Sequence, residues 1–359
     1  MKREFTKEDT LVVKGLAILC LLFYHLFEHY ERVTVMGVDY RPFSIETFLL
    51  ISGFGNICVA VFAFLSAYGI TKGIMSTDLK GESGNSIKSI YKKACGRYIK
   101  LTANFVVMFA GVNILWFTKF NYSKLYGTGW QAMLYGFLDA TGLAGMFKTP
   151  TINETWWYME LAVLIIFAVP IIFAVAKRMG NYTIIPAVLL PVALDLTFDV
   201  KRYYFVIVLG VLAAAGQWFE KLFEIKIPMI IQAVAGVVLL IGFAIFRQNY
   251  VVYNEFAYLV DAPIALFVSW FGARIMSCIP WVNRGLGILG KHSMNIYFVH
   301  TFFYMAIYQE FIYSFKYAGI IFIVLVAVSL GYSLVLEGLK KITGFNKFVK
   351  WLVDKTGEE

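Results

Sequence analysis

The chain is short of charge. Asp, Glu, Lys and Arg make up 15% of its 359 residues, where a soluble domain carries about 25%. It has only four histidines and four cysteines. Cys20, Cys58, Cys95 and Cys278 are scattered without a C-x-x-C pair, so a disulfide framework and a cysteine zinc site are excluded and all four read as free thiols. No tandem repeat is evident, which excludes a solenoid. The opening apolar run lacks a small-residue cleavage site, so it reads as a retained first span and not as a signal peptide.

The chain is rich in apolar residues. Hydrophobic residues reach 60%, with 33 Phe and 22 Tyr, and mean hydropathy is +0.70. Interfacial aromatics and lipid-facing Phe suit a membrane. The expected fold is all-α, a polytopic membrane helix bundle forming one domain over residues 1–359. Ten stretches have roughly spanning length: 11–29, 46–70, 98–118, 154–176, 183–199, 203–219, 228–246, 255–277, 292–311 and 317–339. The segment 131–147 is also apolar, but Asp139 and three glycines interrupt it; it is either a re-entrant or interfacial helix, or a span that inverts the topology of all later segments.

The formal charge of +9 would suggest nucleic acid in a soluble protein. Here it follows the positive-inside rule, and no nucleic acid is expected. With the N-terminus inside, 23 of the 32 Lys and Arg fall in inner segments and 9 in outer ones. Both termini are therefore expected in the cytoplasm, with 71–97 a basic cytoplasmic loop and 340–359 a cytoplasmic tail.

Several constellations carry possible chemistry. Lys14 and His25 lie eleven residues apart in the first span, which returns them to nearly the same helix face. Ionisable groups within a membrane usually mark a working site. A neutral imidazole there is a candidate general base; the alternative is a snorkelling lysine and a packing histidine. His25-Leu-Phe-Glu28-His29 also spells H-x-x-E-H, a zinc-peptidase signature that still needs a third ligand, for which Asp39 and Glu46 in the outer loop, or Glu82 across the membrane, are the plausible downstream acids. Arg97, Lys100 and Asn104 share a face of the third span, either as orientation anchors or as an anion site in which Arg grips phosphate. Gly285 to Gly290 is a literal G-x-G-x-x-G, but no βαβ unit surrounds it, and it reads as a flexible connector into the ninth span. Lys291 at that span's start suits a phosphate, and Ser293, Tyr297 and His300 make a polar stripe beyond it. In the fourth span Trp156 and Trp157 precede Glu160, a carboxylate inside the apolar run.

Taken in order, these segments resemble the membrane acyltransferase-3 family. Lys14-Gly15-Leu-Ala-Ile-Leu19 with His25 matches its opening motif, with Lys for the usual Arg. Phe62-Ala-Phe64-Leu-Ser66-Ala67-Tyr68-Gly69 is similar to its second-span run. Arg97 and Lys100 match its paired basic residues, Trp156-Trp157-Tyr-Met-Glu160 its Trp-x-x-x-Glu element, and Leu289-Gly290-Lys-His-Ser293-Met-Asn-Ile296-Tyr297-Phe-Val-His300 its closing run. Lysine cannot reproduce a bidentate guanidinium contact, so the Arg-to-Lys departures bear on phosphate positioning.

The resemblance implies acyl transfer across a membrane. It implies acyl-CoA, acetyl-CoA in the first instance, as a co-substrate held near Lys14, Arg97, Lys100 and Lys291, with no tightly bound cofactor and no metal. The acceptor it implies is a hydroxyl of a cell-surface or lipid-linked glycan. His25 would be the base and Glu160 would orient the base or the acceptor. Ser66, Tyr68, Trp156, Ser293, Tyr297 and His300 would line the acceptor side or the cavity. Without a fused hydrolase-like domain the chain would work alone or pass acyl groups to an extracytoplasmic partner enzyme, in contact with membrane lipids throughout. A polytopic transporter or flippase for a glycan or lipid is the competing class.

Overall fold

A computed structural model describes residues 3–78, 87–194, 198–249 and 252–358. These are 84% helical and contain no strand. The helices in chain order are α1 (Lys7–Phe27), α2 (Tyr30–Val35), α3 (Ile45–Phe54), α4 (Cys58–Asp78), α5 (Ile87–Trp116), α6 (Tyr122–Tyr126), α7 (Gly129–Ala140), α8 (Tyr158–Met179) and α9 (Ile184–Ala193). They continue as α10 (Phe198–Ala215), α11 (Trp218–Phe223), α12 (Met229–Arg247), α13 (Ala257–Arg274), α14 (Pro280–Thr301), α15 (Gln309–Tyr313), α16 (Ala318–Ile342) and α17 (Phe345–Glu358).

Seven helical stretches among the described residues are long and apolar enough to cross a membrane. They are Lys7–Phe27, Ile45–Ser76, Ser89–Lys119, Glu154–Ala193, Met229–Arg247, Ala257–Cys278 and Ala318–Ile342. The expected spans 203–219 and 292–311 correspond to α10 and α14, which lie outside that set, while 183–199 corresponds to α9, which the stretch Glu154–Ala193 takes in together with α8. α9 has only ten residues, about 15 Å of helix against a hydrocarbon core of about 30 Å. α10 opens on Asp199, Lys201 and Arg202, and α14 carries Arg284, Lys291, His292, Ser293 and Asn295. α14 is an interior helix, buried almost throughout its second half.

Local chemistry sets the ends. α1 starts in a capping box: Thr6 Oγ1 accepts from Asp9 N–H at 3.1 Å while the Thr6 N–H donates to Asp9 Oδ2 at 3.0 Å. Asp9 also receives Ser277 Oγ, and Arg3 donates to the Ala273 carbonyl, so the end of α13 lies beside the start of α1. Lys72 of α4 pairs with Glu220 of α11 at 3.0 Å, and Gly96 of α5 faces Val353 of α17. These contacts define one face, which holds the start of α1 and, through α17, the end of the chain.

The opposite face holds the end of α1. There the Tyr313 hydroxyl donates to the Leu26 carbonyl, the Asn153 amide donates to Thr301 Oγ1, and Asp39 bridges Tyr317. α7 lies on this face between the end of α5 and the start of α8. Its 12 residues reach about 18 Å, too short to span. The segment 131–147 therefore does not invert the topology.

Two boundaries differ from expectation. Helix α4 continues to Asp78 and α5 begins at Ile87, so 71–78 and 87–97 of the expected loop 71–97 are helical; residues 79–86, Glu82 among them, lie outside the described residues. The G-x-G-x-x-G run is no connector: α14 begins at Pro280, and Gly285, Gly287 and Gly290 are inside it. The reason is packing. A Cβ on Gly290 would collide with the Leu11 carbonyl, and one on Gly15 with the Leu286 carbonyl. Small residues let two membrane helices bring their backbones together, so α1 and α14 cross in backbone contact and run parallel.

Candidate active site

Beside that crossing lies a cavity of about 380 Å³ enclosed by α1, α4, α5, α8 and α14. Helical phase decides which residues reach it. From α1 come Thr10, Lys14 and Leu21; from α14 come Ser293, Met294, Tyr297 and Phe298. α4 supplies Phe62, Ser66 and Gly69, α5 supplies Arg97, and α8 supplies Tyr158 and Met159. Most of the wall is apolar. The polar groups cluster at two levels: Lys14 and Arg97 toward the face where α1 starts, and Ser66, Tyr158 and Tyr297 deeper in.

Lys14 and Arg97 face the cavity as unspent cations. Among the described residues neither has a carboxylate within ion-pair distance, and Arg97 Nη1 is buried without a hydrogen-bond partner. A buried guanidinium nitrogen left unbonded is costly unless a ligand completes it. The Arg97 guanidinium packs over Gly73, where a Cβ would meet it at 2.8 Å.

At the deeper end, Ser66 is hydrogen-bonded to the Tyr158 hydroxyl, and the Tyr297 hydroxyl donates to the Thr155 carbonyl. One turn beyond Leu21 on α1 is His25, and one turn beyond Tyr297 on α14 is His300. Their ring centroids are 5.1 Å apart. Tyr304 stacks on His300 at 5.8 Å and lies 6.4 Å from His25. His25 Nδ1 is 3.5 Å from Glu28 Oε1, and His29 Nε2 is 3.3 Å from the same oxygen. Arg32 donates to the His25 carbonyl at 2.6 Å, contacts Glu28 at 3.9 Å and lies 5.4 Å over the Tyr304 ring.

The cavity thus runs from two cations toward a pair of imidazoles that lie one helical turn beyond its lining. The structure unites Lys14, Arg97, Ser66, Ser293 and Tyr297 around it, with His25 and His300 one turn beyond its lining. It places the other expected residues elsewhere. Lys100 and Lys291 are exposed on the outside of the bundle. Tyr68 is buried against Phe5, Phe64 and Phe219 on another side of α4. Trp156 donates its indole N–H to the Phe298 carbonyl at 2.9 Å, a strut between α14 and the start of α8. Glu160 lines a separate cavity of about 160 Å³ with Trp156, Trp157 and Asp139. Burial pushes the Asp139 carboxyl up, against hydrogen bonds from Tyr126, Thr151 and the Ile152 N–H that pull it down. The carboxylate beside His25 is Glu28, not Glu160. The histidines of the H-x-x-E-H run both meet that carboxylate, and among the described residues no three His, Cys, Asp or Glu side chains group to hold a metal.

Tyr158, Glu28 and Tyr304 are site residues that the motifs did not single out for the reaction. A signal existed for the first. Tyr158 and Glu160 are two residues apart, about 200° around a helix, so only one of them can face α1 and α14. Glu28 stands within the zinc-like run, but its pairing with His25 depends on the turn after α1, which no local pattern specifies.

No curated protein and no solved structure matches the chain. A family model described as an acyltransferase domain matches residues 12–337. That stretch takes in all of the cavity's lining but Thr10, together with His25 and His300, and the chain belongs to the acyltransferase-3 family.

Proposed function

We propose that this membrane acyltransferase moves an acyl group, acetyl in the first instance, from acyl-CoA to a hydroxyl of a cell-surface or lipid-linked glycan. It does so in the cell membrane with both termini cytoplasmic. The observation that carries the reading is the buried, unbonded Nη1 of Arg97, set with Lys14 in a cavity whose lining ends one helical turn short of His25.

The donor enters from the face where α1 starts. Arg97 and Lys14 take the phosphates of CoA, for which a guanidinium fork and an ammonium are suited. The apolar wall takes the pantetheine arm and brings the thioester toward Ser66, Tyr158 and Tyr297. The acceptor hydroxyl arrives from the face that bears Glu28 and Arg32. His25 takes the hydroxyl proton as the oxygen attacks the acyl carbon, and returns it to the departing CoA sulfur. Glu28, at Nδ1, keeps that ring nitrogen protonated and leaves Nε2 as the base. Glu160, one helix face away, lines the separate cavity with Trp156 and Asp139.

The test is transfer of label from radioactive acetyl-CoA to a glycan fraction in membranes that contain the protein. Labelled glycan supports the reading. Protein that binds no acetyl-CoA and labels nothing, yet moves a glycan or lipid across vesicles, would replace it with a transporter.

A further inference from the structure

His300, one turn beyond the cavity's lining on α14, is an imidazole with no assigned task. Its side chain is fully buried. Nδ1 lies 2.6 Å from the Tyr297 carbonyl oxygen. A carbonyl only accepts, so Nδ1 must carry the proton. The neutral ring then presents Nε2 as a bare acceptor, and that atom is buried with no hydrogen-bond partner. The neighbouring ring is His25, with centroids 5.1 Å apart. The two rings are thus in contact, yet no hydrogen bond joins them while both are neutral, since two bare acceptors have no proton to share.

We propose that His300 is a positioning residue that acts through His25: its Nε2 accepts the N–H that His25 gains on taking up a proton. This rests on the reading of His25 as the base. In the step, the hydroxyl proton passes to His25 Nε2, the C–O bond forms and the C–S bond breaks. The proton, shared meanwhile with His300 Nε2, passes to the thiolate. His300 stays neutral throughout, because a second proton would place two cations side by side. The other charged or titratable groups facing His25 are Tyr24 on α1, Glu28 and His29 beyond it, Arg32 on α2 and Tyr304 after α14.

Two substitutions separate this role from packing. His300→Asn places an amide N–H where Nδ1 donates and removes the Nε2 acceptor. His300→Gln places an amide oxygen where Nε2 was and gives up the Nδ1 donor. The measurement is peptide-resolved carbethoxylation of His25 by diethyl pyrocarbonate against pH, which needs no substrate. In His300→Asn the half-maximal pH falls by about one unit, since a hydrogen bond to a charged group is worth about a factor of ten; His300→Gln stays near wild type. The acid limb of acetyl transfer against pH shifts the same way, and kcat of His300→Asn falls about tenfold. Equal half-maximal pH in all three proteins, or a shift in His300→Gln alone, overturns the proposal. Absence of acetyl transfer in the wild type would overturn the function reading and leave the carbethoxylation result to decide the pair.

Discussion

Replacing Arg97 with Ala removes the guanidinium whose Nη1 is buried and unbonded. The two consequences have opposite signs. In the ligand-free protein no partner among the described residues loses a hydrogen bond to Nη1, so the fold keeps its stability; shedding a buried unsatisfied nitrogen even favours the variant. In the donor complex one charge-assisted bond to phosphate disappears, worth about 1.5–3 kcal/mol. At about 1.4 kcal/mol per decade, the Kd for acetyl-CoA rises about 10- to 150-fold. Lys221 on α11 is an exposed cation of the same face and does not line the cavity, so Lys221→Ala serves as the control, with a change below about twofold. Titration calorimetry of detergent-solubilised protein, paired with thermal unfolding, reads both quantities. Equal affinities in the two variants would refute the reasoning, and so would a loss of affinity matched by a fall in unfolding temperature, since the guanidinium would then be a structural tie.

The same geometry sets three other outcomes. Gly73→Val pushes a side chain into the Arg97 guanidinium from its packing position, so acetyl-CoA affinity drops toward the Arg97→Ala level while the helix content by circular dichroism stays unchanged. Gly290→Ala puts a Cβ against the Leu11 carbonyl; backbone cannot yield as a side chain can, and overpacking costs about 1–3 kcal/mol, seen as a lowered unfolding temperature, whereas Gly287→Ala has open space and changes little. Cys95 and Cys278 are exposed and belong to the face where α1 starts. An impermeant maleimide on intact cells should leave them unlabelled and should label a cysteine placed at Arg41, which lies on the opposite face; labelling of Cys95 would invert the topology.

Much of this site is legible in the sequence alone. The phase of α1 aligns Lys14, Leu21 and His25, because eleven residues are close to three turns. The stripe Ser293, Tyr297, His300 holds on α14 for the same reason. The features that escape a sequence reading depend on a second element. Arg97, Lys100 and Asn104 share a helical face in projection, yet Arg97 meets the cavity, Lys100 meets the surroundings and Asn104 accepts from Lys340 of α16 at 2.9 Å. Glu160 looks like the carboxylate for His25 because it lies inside an apolar run, but the crossing of α1 and α14 turns Tyr158 toward the cavity and Glu160 away. The glycine-rich run looks like a loop because Gly weakens helices; in lipid, close backbone packing outweighs that propensity. Hydropathy also undervalues α14, whose polar side chains are buried among protein helices and form pairs such as His292 Nδ1 with Ser333 Oγ at 2.8 Å.

The central claim is that His25 is the base of an acyl transfer fed through this cavity. The direct measurement is transfer of label from radioactive acetyl-CoA to the glycan fraction by wild type and His25→Gln, in membranes holding equal amounts of folded protein. Glutamine keeps size and hydrogen bonding but takes up no proton near neutral pH. The account predicts that acetyl-CoA still binds and that transfer falls by about 10²–10⁴, the range for a positioned general base, with no response to chelators. Equal labelling by the two proteins would contradict it.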